Sequence, residues 1–132
     1  MFIGLLIADD NQLFRSGLCQ LCQVKGGFTI LAEAENGEQA VRLAREYQPD
    51  VILMDIHMPD LSGVEAARLI IAENSDARIL MLTMDRQEHH VLASRKAGAC
   101  GYLLKSASPE ALFEAIQAAY SGSGWLDPDI TL

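Results

Sequence analysis

The stretch 51–55, Val-Ile-Leu-Met-Asp, is the feature that most constrains how this chain can fold. Four consecutive large apolar residues are typical of a strand that is buried on both faces, as in the middle of a parallel sheet. The strand ends in a carboxylate, Asp55. Because ligands bind at the carboxyl ends of the strands in open α/β sheets, Asp55 is predicted to face a ligand there.

Further apolar runs alternate with amphipathic segments along the whole chain. The other predicted strands are 2–8, 28–34, 78–83 and 101–105. The predicted helices are 11–25, 36–47, 62–73, 86–97 and 108–120. Strands that alternate with helices indicate a parallel sheet covered on both faces by right-handed crossovers. The sequence therefore predicts one doubly wound α/β domain.

Apolar stripes predict the buried face of each helix. The predicted inward residues are Phe14, Leu18, Leu21 and Cys22 in the first helix, Ala40, Leu43, Ala44 and Tyr47 in the second, and Leu112, Phe113, Ile116 and Tyr120 in the last. Helix 86–97 offers little beyond Val91 and Leu92. We expect this helix to be the least firmly packed and the easiest to displace.

Charge and hydropathy exclude two classes of function for this segment. The formal net charge of the 132 residues is −8, which argues against nucleic-acid binding by the segment itself. No apolar stretch approaches the ~20 residues that a membrane-spanning helix needs. We expect a soluble, cytoplasmic protein with no membrane partner.

The three cysteines include one C-x-x-C pair, Cys19 and Cys22. A tetrahedral zinc site needs about four ligands, and the remaining cysteine, Cys100, is distant in the sequence. Three thiols cannot all pair, and nothing suggests secretion, so reduced thiols are expected. Cys19 and Cys22 are interpreted as small apolar residues of a helix, in preference to a redox or metal site.

Polar side chains stand at the carboxyl ends of four predicted strands: Asp9 and Asp10, Asp55, Thr83 and Lys105. Three carboxylates at one edge repel each other, and a hard divalent cation such as Mg²⁺, which prefers oxygen ligands, relieves that repulsion. Asp55 can then attack phosphorus as a carboxylate nucleophile. Lys105 and the Thr83 hydroxyl can stabilise the phosphoryl oxygens.

This set of residues resembles the receiver domain of two-component response regulators. The supporting stretches are 55–59, 62–63, 80–84 and 97–105. The resemblance covers residues 1–120, and 121–132 then begins a flexible linker to an output domain that this chain does not contain. It implies a flavodoxin-like fold with five parallel strands in the order 2-1-3-4-5 and five helices.

The resemblance also implies a role for each matching residue around the metal. Asp55 would be the phosphoacceptor, with a histidine kinase as the phosphoryl donor. Asp10 and Asp55 would bind Mg²⁺ or Mn²⁺ directly, Asp9 largely through water, and His57 through its backbone carbonyl. Mg²⁺ prefers oxygen, so the histidine rings are not predicted as its ligands.

Switching and dephosphorylation involve a second group of residues. By resemblance, Lys105 contacts the phosphoryl group, Thr83 is the switch hydroxyl, and Tyr102 turns inward on activation. His57, Met84 and Asp85 are predicted to act as gatekeepers along the approach of the hydrolytic water.

Within receivers, the stretches 82–84, 101–110 and 125–128 resemble the NarL/FixJ subgroup. Such receivers are usually joined to a LuxR-type helix-turn-helix domain, so DNA would be bound only through that separate domain. Homodimerisation on phosphorylation is left open.

Many receivers have Pro after the conserved Lys, whereas Ser106 follows Lys105 here. A cis bond is costlier without Pro, so the geometry of this bond is also left open.

Three other readings compete with a phosphorylated receiver. A haloacid-dehalogenase-like phosphohydrolase needs a second acid two residues after its nucleophile, but that position is His57. A dinucleotide-binding module needs a glycine-rich loop after the first strand, where this chain has Asp9, Asp10 and Asn11. A stand-alone receiver, or a receiver that serves as a docking module without phosphorylation, remains an alternative.

Overall fold

The described residues, 2–84 and 88–126 of a computed structural model, form one parallel sheet with helices on both faces. The strands are β1 (Ile3–Ala8), β2 (Phe28–Ala34), β3 (Val51–Asp55), β4 (Ile79–Thr83), β5 (Gly101–Leu104) and β6 (Trp125–Leu126). The helices are α1 (Gln12–Lys25), α2 (Gly37–Tyr47), α3 (Gly63–Glu73), α4 (Glu88–Lys96) and α5 (Pro109–Tyr120).

The sheet has the strand order β2-β1-β3-β4-β5-β6, and every neighbouring pair is parallel. The first five strands confirm the predicted order 2-1-3-4-5. Every residue of β1, β3 and β4 is buried, as their uninterrupted apolar runs indicate. The acid at the end of β3 is thereby placed at the centre of the sheet edge.

Strand β6 lies within the segment 121–132 that was expected to be a linker. Trp125 pairs with Gly101, and the Trp125 amide donates a 3.1 Å hydrogen bond to the carbonyl of Cys100. A Cβ atom on Gly101 would lie 2.9 Å from the Trp125 carbonyl oxygen, so glycine permits this close approach. The start of the expected linker therefore extends the sheet, and residues 127–132 lie outside the described residues.

The predicted helix starts are confirmed by their capping hydrogen bonds. In each case a side-chain oxygen accepts from the amide three residues later, and the capping residues are Asn11, Asn36, Ser62 and Ser108. Two helices end in left-handed or otherwise positive-φ residues, Gly26 after α1 and Gln48 after α2. These caps fix where each helix leaves the sheet edge.

Side chains that alternate along the strands build two apolar layers. One layer lies against α2, α3 and α4 and includes Leu6, Ile52, Met54, Ile79, Met81, Ala40, Ala66, Ile70, Val91 and Tyr102. The other lies against α1 and α5 and includes Leu5, Ile7, Val51, Leu53, Leu80, Leu82, Leu18, Cys22, Leu112 and Ile116. The helices are thus divided between the two faces, as a doubly wound fold requires.

Two residues that were predicted to point inward are exposed. Tyr47 is 45% exposed because it is the last residue of α2, where the stripe of Ala40 and Ala44 has run out. Leu21 is 39% exposed because the buried face of α1 runs through Arg15, Leu18, Cys19 and Cys22. The buried faces of α1 and α2 were therefore predicted at the correct positions, but each is narrower than the predicted set of inward residues.

The cysteine pair of α1 is buried, and both thiols are free. Burial raises the pKa of Cys19 and of Cys22 to about 11, which keeps both thiols protonated and unreactive. The interpretation of the pair as core residues agrees with this environment.

Two further sequence expectations concern α4 and the bond after Lys105. Helix α4 buries Val91, whereas Leu92 is 41% exposed, in agreement with its sparse apolar stripe. Every peptide bond in the described residues, Lys105–Ser106 included, is trans. Among the described residues, no helix has both the length and the hydropathy that crossing a bilayer requires.

Candidate functional site

The carboxyl edge of the sheet brings together the five polar residues that the sequence singled out. Asp9 and Asp10 follow β1, Asp55 and Thr83 end β3 and β4, and Lys105 follows β5. The Lys105 amide donates a 2.7 Å hydrogen bond to the Thr83 carbonyl, which continues the sheet pairing to the site. Residues far apart in the sequence therefore meet at one edge.

Three carboxylates form the centre of this site. One oxygen from each of Asp9, Asp10 and Asp55 lies within 4.8 Å of the other two. Asp9 is fully buried and Asp55 is 4% exposed, whereas Asp10 is open to solvent. An all-carboxylate donor set of this kind fits a hard divalent cation, which would enter from the side of Asp10.

The ammonium group of Lys105 joins two of these carboxylates. Its Nζ lies 2.7 Å from Asp9 Oδ2 and 3.5 Å from Asp55 Oδ2, and it also lies 4.5 Å from the centre of the Phe14 ring. The side chain of Lys105 is only 13% exposed. This cation is thus held beside the carboxylate that the sequence predicted to react.

The electrostatics of the cluster act most strongly on Asp55. Burial, followed by the charge of Asp9, raises the pKa of Asp55 from 3.8 to about 6. Lys105 and the backbone amide of His57, 3.3 Å from Asp55 Oδ1, oppose this rise, and Asp10 adds to it. The ionised carboxylates repel each other in a low-dielectric environment, so this site favours a bound cation.

Asp9 is held by contacts that the sequence analysis missed. The Asn11 amide donates to Asp9 Oδ1 at 2.8 Å, and Arg15 Nη1 donates to the Asp9 carbonyl oxygen at 2.5 Å. Arg15 is 6% exposed, and its Nε donates to Glu33 Oε1 at 2.9 Å. The sequence did offer one sign of this contact: Arg15 is a charged residue three positions before Leu18, and so lies on the inward face of α1.

Gly63, at the start of α3, allows this helix to pack directly under the acceptor strand. Its amide donates a 2.8 Å hydrogen bond to the Ile56 carbonyl. A Cβ atom at this position would collide with the carbonyl oxygen of Asp55 and lie 2.9 Å from the Ile56 Cα. The Ser62-Gly63 pair therefore combines a helix cap with a close backbone approach.

The predicted switch and gatekeeper residues differ in their exposure to solvent. Thr83 is fully buried and Tyr102 is 3% exposed, so the Tyr102 ring already occupies an inward position. Met84 is 84% exposed, and His57 is exposed on the loop after β3. Asp85 lies outside the described residues.

The fold and the site together define a class: doubly wound α/β domains with an acidic pocket and a lysine at the carboxyl edge of the sheet. Comparison with known proteins agrees with this class. The family described as "Response regulator receiver domain" matches residues 5–117. The chain belongs to this family and is a receiver domain of the kind found in two-component response regulators.

Similar proteins include two curated transcriptional regulatory proteins. DegU of Brevibacillus brevis is 42% identical over 98% of this chain and 55% of DegU. YdfI of Bacillus subtilis (strain 168) is 46% identical over 95% of this chain and 58% of YdfI. The chain therefore spans little more than half the length of these relatives.

A similar solved structure is a two-component response regulator of the LuxR family from Aurantimonas sp. SI85-9A1. It superposes with a TM-score of 0.94 at 36% identity, covering 98% of this chain and 93% of that one. The fold of this chain therefore agrees with that of the solved structure over nearly its whole length, helices as well as strands.

Proposed function

We propose that this receiver is a phosphorylation switch in which Asp55 accepts a phosphoryl group from a histidine kinase. The observation that carries the proposal is the position of the Lys105 ammonium, 2.7 Å from Asp9 and 3.5 Å from Asp55. A cation held beside a buried carboxylate is suited to neutralise the oxygens of an incoming phosphoryl group. The receiver is thus a phosphoacceptor that assists its own modification.

The reaction transfers phosphorus from nitrogen to oxygen. A carboxylate oxygen of Asp55 forms a bond to phosphorus, the bond from phosphorus to the imidazole nitrogen of the donor breaks, and that nitrogen takes a proton. Lys105 attracts the phosphoryl oxygens, and the buried Thr83 hydroxyl donates a hydrogen bond to one of them. These side chains position and stabilise the group, and the donor supplies its energy.

Asp10 and Asp55 would hold Mg²⁺, or Mn²⁺ in its place, directly, together with the backbone carbonyl of His57, and Asp9 would act largely through water. The support is the chemistry of the donor set, three carboxylates within 4.8 Å of one another. When bound, the ion neutralises the like charges of the cluster and of the phosphoryl oxygens. Phosphorylation is therefore expected to require the divalent cation.

The switch is proposed to run from Thr83 through Tyr102 to α4. Drawing the Thr83 hydroxyl towards the phosphoryl group favours the inward position of the Tyr102 ring, which packs in the same apolar layer as Val91 of α4. Because Leu92 is 41% exposed and does not join the apolar layer, α4 has few apolar contacts to restrain it. The surface formed by α4, β5 and α5 would change as a result.

The output of the switch is proposed to be an attached DNA-binding domain. The relatives are transcriptional regulatory proteins, and this chain covers little more than half of their length. With a net charge of −8, the receiver itself is poorly suited to bind DNA. Residues 121–132 would lead to that domain, and phosphorylation would act in the cytoplasm by changing contacts between domains or between two copies.

Incubation with acetyl phosphate and Mg²⁺, read by intact mass, tests the proposal. The expected result is one phosphoryl group on the wild-type chain and none on Asp55→Asn. Asp76→Asn, at an exposed aspartate, is the matched control and should be phosphorylated normally. The absence of an adduct on folded wild-type protein would favour a docking module, and steady phosphate release from unrelated monoesters would favour a hydrolase.

A further inference from the structure

The guanidinium group of Arg15, in the first turn of α1, contacts the loop that carries Asp9 and Asp10. Arg15 is 6% exposed, and it is the one buried residue among the lysines and arginines that the structure describes. Burying a cation costs free energy unless its charge is paired and hydrogen-bonded. The partners of Arg15 therefore indicate what the fold gains by keeping it inside.

Arg15 fixes the peptide unit that joins Asp9 to Asp10. Its Nη1 donates to the Asp9 carbonyl oxygen at 2.5 Å, and this carbonyl lies in the same planar peptide as the Asp10 amide. The guanidinium group is itself held, since Nε donates to Glu33 Oε1 at 2.9 Å and Nη2 lies 3.9 Å from Glu35 Oε1. A rigid planar group that is anchored on β2 thus sets the orientation of this peptide.

The other three polar groups of Asp9 are held by other parts of the fold. Its amide donates to the Ala34 carbonyl at 3.0 Å, and its Oδ1 accepts from the Asn11 amide at 2.8 Å. Its Oδ2 lies 2.7 Å from Lys105 Nζ. The contact with Arg15 completes this set at the carbonyl, where the chain continues towards the next metal ligand.

We propose that Arg15 is a positioning residue for the divalent cation, because it holds the Asp9–Asp10 peptide and so aims the Asp10 carboxylate into the pocket shared with Asp55. Asp10 is exposed, so the direction of its side chain depends strongly on its backbone. A ligand that is already in place loses less conformational freedom when the metal binds, which raises the affinity. This inference rests on the metal site of the proposed function and not on the phosphoryl transfer.

The charge and the geometry of Arg15 have opposite effects on cation binding. A guanidinium group next to the acidic loop repels a cation, so its charge alone lowers the affinity for the metal. Removing it would then tighten binding. A role in positioning predicts the reverse, weaker binding, and a role confined to joining α1 to β2 predicts a change in stability without a change in affinity. The sign of the change therefore distinguishes the three roles.

Titration with Mn²⁺ without a phosphoryl donor, followed by water-proton relaxation and reversed with Mg²⁺, tests the proposal. Arg15→Met removes the charge and every donor but keeps an unbranched side chain that suits a helix. Its dissociation constant for Mn²⁺ should rise by about tenfold, as expected when a group that orients a metal ligand is lost. With acetyl phosphate, the Mg²⁺ concentration that gives half the maximal rate should rise similarly, and the maximal rate should change less.

Arg45→Met is the matched control. Arg45 forms an exposed ion pair with Glu73 on the neighbouring helix α3, and its loss changes the net charge of the protein by the same amount. This variant should bind Mn²⁺ as the wild type does. Thermal unfolding without metal shows whether Arg15→Met is folded.

Two substitutions at Glu33 test the same contact from an exposed position, where the fold tolerates change. Glu33→Ala removes the acceptor that holds Nε of Arg15, whereas Glu33→Gln removes the same charge but keeps an oxygen that can accept. Glu33→Ala should therefore bind Mn²⁺ about two- to threefold more weakly than Glu33→Gln, as expected for the loss of a modest hydrogen bond.

Binding of Mn²⁺ by folded Arg15→Met that is as tight as in the wild type, or tighter, would overturn the proposal. An equal loss of affinity in Arg45→Met would do the same. If Arg15→Met does not fold, equal binding by the two Glu33 variants would overturn it. Each of these results would leave the phosphorylation of Asp55 standing, whereas a wild type that binds no Mn²⁺ would overturn the metal site together with this inference.

Discussion

Replacing Asp55 with asparagine should stabilise the metal-free protein at neutral pH. Burial and the neighbouring charge of Asp9 raise the pKa of Asp55 from 3.8 to about 6, so the folded state binds this proton more tightly than the unfolded chain does. The resulting stabilisation is fully present below pH 4 or so and is lost as the pH rises through about 6. Above that pH the ionised Asp55 destabilises the fold.

The size of the effect follows from the difference in pKa. A difference of about two corresponds to about 3 kcal/mol at most in the free energy of unfolding. Asparagine resembles the protonated carboxyl and removes this penalty, whereas Lys105 keeps its closer contact, 2.7 Å, with Asp9. For a domain of this size, Asp55→Asn should raise the melting temperature at neutral pH by up to about 10 °C.

Urea unfolding of both proteins at several pH values, with and without Mg²⁺, measures this difference. The difference in the free energy of unfolding between Asp55→Asn and the wild type should be largest at neutral pH without metal and should shrink towards pH 4.5. It should also shrink in Mg²⁺, because the ion strongly stabilises only the wild type. Asp76→Asn, at an exposed aspartate, should show no such dependence on pH. An Asp55→Asn variant that is no more stable than the wild type at neutral pH would refute the electrostatic reasoning.

Two further predictions concern residues next to the acceptor. Met84→Ala should shorten the lifetime of the phosphorylated protein by about two- to fivefold, because the smaller side chain clears the approach of water beside Thr83. This change corresponds to a barrier lowered by about 0.5–1 kcal/mol. An unchanged or longer lifetime in a phosphate-release assay would contradict the prediction. Gly63→Ala should lower the free energy of unfolding in urea by about 3 kcal/mol, because its methyl group collides with the Asp55 carbonyl. Gly17→Ala, an exposed helical site with nothing within 4 Å, should instead stabilise by about 0.5–1 kcal/mol, and a similar loss in both variants would contradict the steric argument.

Most of the site could be predicted because strand ends are easy to recognise in the sequence. The runs that end at Ala8 and Asp55 are continuous and apolar, and parallel pairing brings their carboxyl ends to one edge. The convergence of Asp9, Asp55 and Lys105 depends in addition on the strand order, which the resemblance to receivers implied. The resemblance to receivers assigned roles that the geometry makes chemically reasonable.

What the sequence could not show depends on contacts between distant segments. Arg15 was overlooked because its partners, the Asp9 carbonyl and Glu33, become neighbours only when β1, β2 and α1 are assembled. Strand β6 is two residues long and follows a glycine- and serine-rich turn, so neither periodicity nor length marked it. The same limitation applies to the contact between His57 and His90, which depends on how α4 packs.

The most direct test of the central claim is to locate the phosphoryl group on the chain. Borohydride reduces an acyl phosphate to an alcohol, so a phosphorylated aspartate becomes homoserine and can be found by peptide mass mapping. After treatment with acetyl phosphate, the account predicts homoserine at position 55, in the presence of Mg²⁺ and not in its absence. Unmodified Asp55, or modification at Asp9 or Asp10 in its place, would contradict it.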